Sequence, residues 1–324
     1  MSERIVAIAC ARNEADMIEV FARHTLGFAD RVVIVDHGST DSTPAILEAL
    51  QKEGLPVEVR KLGCIAQMQA ETLTAVIRDV VASGPAEWIV PLDVDELLVP
   101  ADGDVRSAIL AMPTDHASTA RMKAYVPDPG GGANILEHVR RRVAFDAFPF
   151  LKVVAIPRAL CGDRGRLTPG NHGYLWDGQP IVQWNESIFT AHLPFRSPLQ
   201  LQAKALGWIN HITRENALEE EAVHWKRLFE DFVAGNLKSW DKTADWALQY
   251  ARYISPDCPL DLVEDPVPPV KLKYPKLAVR IDPRLILEGM ARSFRVPFDA
   301  SMATSALAKA VEAKALAMKG QKPC

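Results

Sequence analysis

The stretch of sequence that decides the fold is RIVAIACARNEADMIEVFARHTLGFADRVVIVD, residues 4–36, in which a strand, a helix and a strand follow one another. Residues 4–10 form an apolar run short enough for a buried strand, and apolar side chains then recur at helical spacing from residue 17 onward. Residues 31–35 are mostly β-branched and apolar, which is typical of a strand covered on both faces. This order predicts two neighbouring parallel strands joined by a helix.

The same strand-helix pattern repeats further along the chain. Ser42 and Thr43 offer capping hydroxyls, and Pro44 suits the first turn of a second helix. Gly54 follows the last periodic residue as a stop signal. A third strand, VEVR, a longer helix near residues 66–82 and a further strand complete the pattern. Alternation of this kind predicts an α/β fold with a mostly parallel, doubly wound sheet.

The segment EWIVPLDVDELLVP, residues 87–100, runs from a buried strand into three carboxylates, those of Asp93, Asp95 and Glu96. Carboxylates this close repel one another, so water, basic groups or a cation must offset their charge. Side chains alternate along an extended segment, which predicts that Asp93 and Asp95 face the same side. Pro91 cannot donate a ladder hydrogen bond, so the strand is expected to bulge or to lie at an edge there.

Two of the predicted strands end in acidic residues, Asp36 in VVIVDHGSTD and Asp93 in WIVPLDVDE. In open α/β sheets, ligands bind in the crevice beyond the carboxyl ends of the strands. The two acidic termini therefore predict a single rim at which a ligand binds.

The composition restricts the range of functions. The chain has 324 residues, 48% of them hydrophobic, which is enough for one large domain with an appendage or for two domains. Its net charge of -4 gives no reason to expect nucleic acid as a partner. Five cysteines without CxxC spacing predict reduced thiols rather than a zinc cluster or disulfides. With no signal-peptide pattern and no apolar run of about 20 residues, we expect a soluble cytoplasmic protein.

The pair of Asp93 and Asp95 has three interpretations. A solvated turn after a strand often contains aspartate, because its side chain bonds nearby backbone amides. The nucleophile motif of haloacid dehalogenase-like phosphatases also places Asp-x-Asp after an apolar strand, but it has Thr or Val where this chain has Leu97. A divalent metal held for the diphosphate of a nucleotide sugar would use such a pair as well, because Mg²⁺ and Mn²⁺ prefer oxygen ligands.

Four motifs in order distinguish among these interpretations. They are RNE after the first strand, VDHGSTDST after the second, LDVDEL, and H-x-PFRS followed by Lys204. Together they resemble the GT-A glycosyltransferases of the family 2 type, in the branch that is also similar to family 92. The similarity covers roughly the first two thirds of the chain. It implies a GT-A fold, which is Rossmann-like, with a nucleotide-sugar site at the rim described above.

The resemblance also implies a division of the chain. One GT-A domain is predicted over residues 1–197, with a nucleotide-binding half at 1–100 and an acceptor half at 101–197. The segments STARMKAYVP, FLKVVAIP and IVQWNESIFTAHLPF predict the strands of the second half. Residues 198–324 are predicted to form a helical extension with a proline-rich, extended segment near 256–275 and an alanine-rich tail helix, DASMATSALAKAVEAKALAMKG.

The resemblance assigns the loops after the first two strands to the nucleotide. Asp36 resembles the aspartate that accepts a hydrogen bond from the base. Its ordinary alternative is to cap the turn in GSTDST, a role that suits Asp41 better. Arg12, Asn13 and Glu14 would line the nucleoside pocket, and helix capping explains Asn13 equally well.

A metal and a diphosphate site are implied in the same way. Asp93 would contact the ribose or a metal-bound water, and Asp95 would bind Mn²⁺ or Mg²⁺ directly. His192 resembles a late metal ligand or phosphate contact, a role that suits a neutral imidazole. Arg196 would grip the diphosphate through two hydrogen bonds, and Lys204 would neutralise the leaving nucleotide. Ordinary buried hydrogen bonds or salt bridges are the alternatives for these three basic residues.

Family 2 resemblance implies inversion at the sugar carbon, which requires a base that takes the proton of the acceptor hydroxyl. No acidic block of the usual kind marks that base in this sequence. Glu186, His172 and Glu137 are the candidates, in that order. Close to His172 in sequence, the rings of Tyr174 and Trp176 are predicted to stack on a sugar.

These residues predict a metal-dependent, inverting glycosyltransferase that moves a sugar from a nucleotide donor to a glycan, a lipid-linked acceptor or a small molecule. A UDP-sugar is the expected donor. Neither nucleic acid nor a membrane span is expected, and the helical extension is compatible with a peripheral membrane contact or a homo-oligomer. Two alternatives stay open at this point. One is a dehalogenase-like phosphatase that uses Asp93, and the other is a carbohydrate-binding protein without activity.

Overall fold

The computed structural model describes residues 3–63, 66–130, 132–146, 148, 151–212, 223–278 and 282–291. Within these ranges the strands are β1 (Ile5–Ala11), β2 (Arg31–Asp36), β3 (Val57–Lys61), β4 (Trp88–Asp93), β5 (Glu96–Pro100), β6 (Ala117–Val126), β7 (Arg141–Val143), β8 (Leu151–Pro157), β9 (Gly165–Leu167), β10 (Tyr174–Trp176), β11 (Gln179–Pro180), β12 (Val182–His192) and β13 (Leu262–Glu264). The helices are α1 (Ile18–Thr25), α2 (Thr43–Lys52), α3 (Gln69–Ser83), α4 (Val105–Leu110), α5 (Pro198–Ala205), α6 (Gly207–Ile212), α7 (Val223–Val233), α8 (Trp240–Ile254), α9 (Pro275–Ala278) and α10 (283–291).

The N-terminal half of the main sheet is parallel. Its strands lie in the order β3-β2-β1-β4, and all three pairings between them are parallel. The register places Ala11 opposite Asp36 and Cys10 opposite Asp93, so β1, β2 and β4 end at one rim. The shared rim predicted from the two acidic strand ends is therefore confirmed.

Helices cover both faces of this parallel half, because alternate residues of β1 point to opposite sides of the sheet. On one face Ile5 shares a core cluster with Phe21 of α1 and Leu47 of α2. On the other face Ile8 shares a second cluster with Leu73 of α3. The chain is thus an α/β protein with a doubly wound sheet, and the predicted GT-A fold class is confirmed.

The rest of the ten-stranded sheet is mixed. From β4 the order continues through β8, β6, β7 and β13, and each of these neighbours pairs antiparallel. Strand β12 pairs parallel with β6 and antiparallel with β5. Strands β9, β10 and β11 form a separate small sheet. The three strands predicted for this region appear as β6, β8 and β12.

Pro91 lies where β4 loses one of its two neighbours. Strand β8 pairs with β4 only at Trp88 and Ile89, whereas β1 pairs with β4 as far as Asp93. Within the described pairings, Pro91 therefore has a ladder partner on one side alone, which is Ile8 of β1. This agrees with the expectation that the strand has an edge at the proline.

A turn at Val94 and Asp95 joins β4 to β5. Asp93 is the last residue of β4, and Glu96 is the first residue of β5. The segment is not extended as the alternation argument assumed, so Asp93 and Asp95 point to different partners. This difference determines the geometry of the site described below.

The C-terminal helices pack on the mixed half of the sheet, next to the rim. Met122 of β6 shares a third core cluster with Leu201 of α5, Leu228 of α7 and Trp246 of α8. The proline-rich segment that follows contains strand β13, which pairs with β7 at the edge of the sheet. The alanine-rich tail helix lies outside the described residues, and the domain division at residue 197 stays a prediction.

Two further sequence expectations concern cysteines and membranes. Among the described residues, Cys10, Cys161 and Cys258 form no disulfide, and Cys64 and Cys324 lie outside the described residues. No helix in the described part of the chain combines the length and the apolar composition that crossing a membrane requires.

Candidate active site

A cavity of about 430 Å³ opens at the carboxyl edge of the parallel half of the sheet. The loop after β1, the ends of β4 and β12, the start of α3 and parts of α5, α7 and α8 line it. Of the residues predicted from the sequence, the lining includes Arg12, Asn13, Glu14, Asp93, Asp95, His172, His192 and Lys204. Among the described residues, Asp36, Glu137, Glu186 and Arg196 lie outside this lining.

Asp93 is held from both sides of its carboxylate. Its Oδ2 accepts a hydrogen bond from Lys152 Nζ at 2.7 Å, and its Oδ1 accepts one from Asn171 Nδ2 at 3.0 Å. Gln69 at the start of α3 also donates to Oδ1. The same lysine lies 2.7 Å from Glu96 Oε1, so one ammonium serves two carboxylates. Basic and amide groups thus offset part of the acidic cluster.

Glu96 is 1% exposed, and its protonation follows from that burial. Burial raises the pKa of Glu96 to about 8 against the opposing charge of Lys152, and the Asp93 and Asp95 carboxylates add to the rise. Burial alone would lower the pKa of Lys152, but Asp93 and Glu96 raise it above its ordinary value. Lys152 therefore stays charged and balances Asp93, while Glu96 carries a proton at neutral pH.

Asp95 has a different set of partners on the opposite side of the turn. Its Oδ2 lies 2.5 Å from Lys204 Nζ, 3.8 Å from His192 Nε2 and 4.0 Å from Arg196 Nη1. Burial alone would raise the pKa of Asp95, but the charges of Lys204 and Arg196 hold it below its ordinary value. Asp95 is therefore an anion throughout the physiological range.

His192 is buried beside this carboxylate at the end of β12. Burial lowers the pKa of His192 to about 3, even though Asp95 opposes the shift, so the imidazole is neutral at physiological pH. Its Nδ1 is buried and has no hydrogen-bond partner among the described residues. A neutral imidazole next to an ionised carboxylate is a donor set that a divalent transition metal accepts.

The distance between these two donor atoms bears on whether they fit one ion. Ligand atoms that each lie about 2.1 Å from a divalent cation are at most about 4.2 Å apart. The observed 3.8 Å between Asp95 Oδ2 and His192 Nε2 falls below that limit. The described residues contain no group of three or more His, Cys, Asp or Glu side chains placed to hold a metal. The pair therefore fits a metal only if a bound ligand supplies further oxygens.

Arg196 lies beneath the cavity and is fully buried. Its guanidinium donates to Asp16 through Nε at 2.8 Å and through Nη2 at 2.9 Å, and Nη2 also donates to Glu14 at 2.5 Å. Nη1 donates to the carbonyl of Leu193 at 3.1 Å. Burial raises the pKa of Glu14 to about 7, with Arg196 opposing that shift. Gripping a diphosphate would require Arg196 to break these hydrogen bonds.

The loops after β1 and β2 support each other through side-chain caps. Asn13 has a left-handed backbone, with φ of 56°, and its Oδ1 accepts from the backbone N–H of Thr40 at 2.8 Å. Asp36 Oδ1 accepts from Ser39 N–H at 2.9 Å, and Asp41 accepts from Thr43 N–H at 2.8 Å. Both aspartates therefore cap the turn. A role of Asp36 in binding the base stays a prediction.

Only one of the three candidate bases lies in the cavity. His172 lines it, and its Nδ1 is 3.1 Å from the carbonyl oxygen of Leu151. Glu186 is exposed on β12, and Glu137 is exposed in a short turn where it accepts from Asn134. Both glutamates lie outside the cavity lining described above.

The aromatic rings near the cavity are not those expected from the sequence. Tyr174 is buried and its hydroxyl donates to the carbonyl of Leu160 at 2.6 Å, while Trp176 packs against a guanidinium outside the cavity. The C-terminal helices and the loop before them supply an aromatic wall instead. Its members are Phe195, His224, Trp225, Trp246 and Tyr250.

Several residues that hold the site together were not predicted from the sequence. Lys152 could have been predicted, because it is the only charge in the apolar run FLKVVAIP and a buried charge requires partners. Asp16 could also have been predicted as a site residue, because it lies two positions after Glu14 in RNEAD. Gln69 and Asn171 carry no pattern that marks them.

Comparison with known protein families gives a match to the N-terminal part of the chain. The family model described as "Glycosyl transferase family 2" matches residues 6–141. The match covers less than half of the chain, and over these residues the chain is similar to family 2 glycosyltransferases. The matched range contains β1 to β4, the turn at Asp95 and the loop after β1 that lines the cavity. No curated protein matches the chain.

Three solved structures illustrate what this chain is similar to. S. aureus TarS, residues 1–349 in complex with UDP, has 15% identity and a TM-score of 0.36, with 78% of this chain and 81% of that chain covered. A second TarS structure has 14% identity and a TM-score of 0.35. The match covers 78% of this chain and 49% of that TarS chain, so this chain spans about half the length of that protein. Glucosyl-3-phosphoglycerate synthase from Mycobacterium tuberculosis, with Mn²⁺, UDP and phosphoglyceric acid, has 14% identity and a TM-score of 0.35 over 72% of this chain and 78% of that one.

Proposed function

We propose that this protein is a metal-dependent, inverting glycosyltransferase that moves a sugar from a UDP-sugar to a hydroxyl of a glycan, a lipid-linked acceptor or a small molecule. The observation that carries the proposal is the pair of Asp95 and His192, whose donor atoms lie 3.8 Å apart in a cavity that the family 2-like segment helps to line. The loops of the nucleotide half and the aromatic wall of the C-terminal helices line the same cavity.

The chemistry requires positive charge where the nucleotide leaves. A nucleoside diphosphate gains negative charge as its bond to the sugar breaks, so groups that bind this charge stabilise the transition state more than the ground state. A bound Mn²⁺ or Mg²⁺ would supply Lewis-acid stabilisation of the diphosphate oxygens. Asp95 and His192 would hold it, and Lys204 lies on the same side of the cavity. Lys152 keeps Asp93 oriented at the rim.

For the base we propose His172. Its Nδ1 donates to the carbonyl of Leu151, because a carbonyl oxygen can only accept, and Nε2 is then the basic nitrogen. Partial burial, and then the Lys152 ammonium, lower the pKa of His172, so the ring is neutral and able to take a proton. Gly170 packs against this ring, and a Cβ at that position would lie 2.9 Å from Nε2.

The proposed function predicts that UDP and Mn²⁺ stabilise the folded protein together. A ligand that binds only the folded state raises the melting temperature, and here each ligand improves the site for the other. We expect UDP with Mn²⁺ to raise the melting temperature by more than the sum of their separate effects. Differential scanning fluorimetry measures this, with UMP as the control that lacks the second phosphate.

The same assay tests the alternatives. A dehalogenase-like phosphatase would be stabilised by a phosphate monoester such as glucose 6-phosphate with Mg²⁺ and not by UDP. A carbohydrate-binding protein would respond to neither nucleotide nor metal. Either result, with no shift for UDP and Mn²⁺, would contradict the proposal. The family match favours the transferase.

Substitution His172→Gln is expected to slow the reaction without weakening UDP binding. General bases contribute about a hundredfold or more to rate. The measurement is UDP release from the UDP-sugar that gives the largest melting shift, with water as the acceptor, together with calorimetric UDP binding. His211→Gln is a control, because His211 also lines the cavity and was not predicted to react. Wild-type rates in the His172 variant would exclude this base.

A further inference from the structure

Lys204 occupies a distinctive position in the cavity. Its ammonium lies 2.5 Å from Asp95 Oδ2, and its side chain is 15% exposed. The ammonium also lies 5.7 Å from the ring centre of Phe195 and 5.6 Å from that of Trp225. Two aromatic faces and one carboxylate therefore hold a single positive charge at the carboxylate oxygen nearest to His192 Nε2.

That oxygen cannot serve two cations at once. A divalent ion shared by Asp95 and His192 would bind Oδ2, the atom that Lys204 already contacts at 2.5 Å. An ammonium and a doubly charged ion on one buried oxygen repel each other strongly, because the surroundings have a low effective dielectric constant. Arg196 does not relieve this conflict, since its guanidinium is held by Glu14 and Asp16. Lys204 must move before a metal can bind.

We propose that Lys204 is the resident cation of Asp95 in the nucleotide-free protein and that it moves to the diphosphate when metal and nucleotide bind together. This inference rests on the proposed function, since it requires a divalent ion and a nucleoside diphosphate in the cavity. The lysine has a flexible four-carbon stem, and Asp95 is the only carboxylate in the described part of the chain that the structure pairs with its ammonium. A diphosphate offers that ammonium a new anionic partner.

The displacement makes nucleotide and metal dependent on each other. Without a nucleotide, Mn²⁺ must compete with Lys204 and leave an ammonium with no anion. With a nucleotide, the displaced ammonium pairs with the diphosphate, so the competition costs less. By linkage, Mn²⁺ must strengthen nucleotide binding by the same factor. Lys204 thus keeps free metal out of the empty site and brings positive charge to the leaving group in the loaded one.

The test measures Mn²⁺ binding directly, from the electron paramagnetic resonance signal of the free ion, with and without UDP. Lys204→Met removes the competing charge and keeps much of the apolar stem. We expect this variant to bind Mn²⁺ roughly tenfold to a hundredfold more tightly than wild type when UDP is absent. Lys204→Gln should do the same, while Lys204→Arg, which keeps the charge, should bind as weakly as wild type. The gain in Mn²⁺ affinity on adding UDP should shrink in the Met and Gln variants.

Lys123→Met is the matched control. Lys123 is also 15% exposed, pairs with Asp265 at 3.0 Å and lies 4.8 Å from the ring centre of Phe189, but it does not line the cavity. Its substitution should leave Mn²⁺ affinity unchanged. Melting temperatures identify variants that fail to fold, and for that reason two neutral substitutions of Lys204 are used.

Two results separate this inference from the proposed function. Equal Mn²⁺ affinity of wild type and both neutral Lys204 variants, in samples that bind UDP by calorimetry, would overturn the lysine displacement alone. No UDP binding to wild type, with or without Mn²⁺, would overturn the proposed function and this inference with it. Tighter Mn²⁺ binding by the neutral variants, with Lys204→Arg at the wild-type value, supports it.

Discussion

Asp95→Asn is expected to abolish sugar transfer and to weaken Mn²⁺ binding in the presence of UDP by at least about a hundredfold, because a metal contributes several kcal/mol to such a site. The substitution preserves the shape of the side chain and removes its charge. Of the two residues proposed to hold the ion, only His192 then remains. The measurement is calorimetric titration of UDP in Mn²⁺ and in EDTA, with UDP-sugar turnover as the second readout.

The control for Asp95 is Asp265, the carboxylate that pairs with Lys123. Asp265 accepts from Lys123 Nζ at 3.0 Å and from Arg142 Nε at 2.6 Å, and it does not line the cavity. Asp265→Asn thus removes a carboxylate with similar partners, and its titration should match wild type. A folded Asp95→Asn protein that keeps the Mn²⁺-dependent gain in UDP affinity would contradict the metal role of Asp95.

The parts of the fold that local periodicity encodes could be predicted from the sequence. Alternation of apolar runs with helical spacing gave the first four strands and the helices between them. The position of Asp36 and Asp93 at strand ends then gave the rim, because the carboxyl ends of parallel strands meet at one edge. These inferences require only a few neighbouring residues at a time.

The partners of the acidic cluster could not be predicted in this way. Lys152 meets Asp93 across 59 positions of sequence, and Arg196 meets Asp16 across 180. No local pattern specifies which of several basic residues fills a given position. The turn at Asp95 was not predicted from the local pattern either. It interrupts the extended segment, so Asp93 and Asp95 do not share a face as alternation predicts.

The expected role of Glu186 shows how a strand irregularity defeats alternation. The pairing of β12 with β6 shifts register between Trp184 and Phe189, and Glu186 lies within that interval. An irregularity of this kind changes the direction of the side chains around it. Alternation counted back from His192 therefore does not show which face of the strand Glu186 lies on. Sequence alone therefore gave no means of deciding whether Glu186 enters the cavity.

Arg196→Met is expected to lower the free energy of unfolding by about 3–5 kcal/mol, because it leaves the partly buried carboxylates of Glu14 and Asp16 without their partner. Methionine fills much of the same volume, so the loss is one of charge and hydrogen bonds. Arg196→Lys should be intermediate, since an ammonium cannot reproduce the fork that bonds Asp16 and Glu14 together. Urea denaturation at pH 7 measures both. Arg164→Met, which breaks an exposed pair with Asp177, is the control and should leave the free energy of unfolding close to the wild-type value.

The dependence of this loss on pH distinguishes a charge effect from a packing effect. Burial already raises the pKa of Glu14 from 4.5 to about 7 against the opposing charge of Arg196, so removal of that charge raises the pKa further. A carboxyl that keeps its proton longer in the folded state adds stability that is fully present below its unfolded pKa and is lost as the pH rises through its folded pKa. Arg196→Met should therefore be destabilised more, relative to wild type, at pH 8 than at pH 5. An equal loss at both values would mean that Arg196 acts through packing and that Glu14 is not held by its charge.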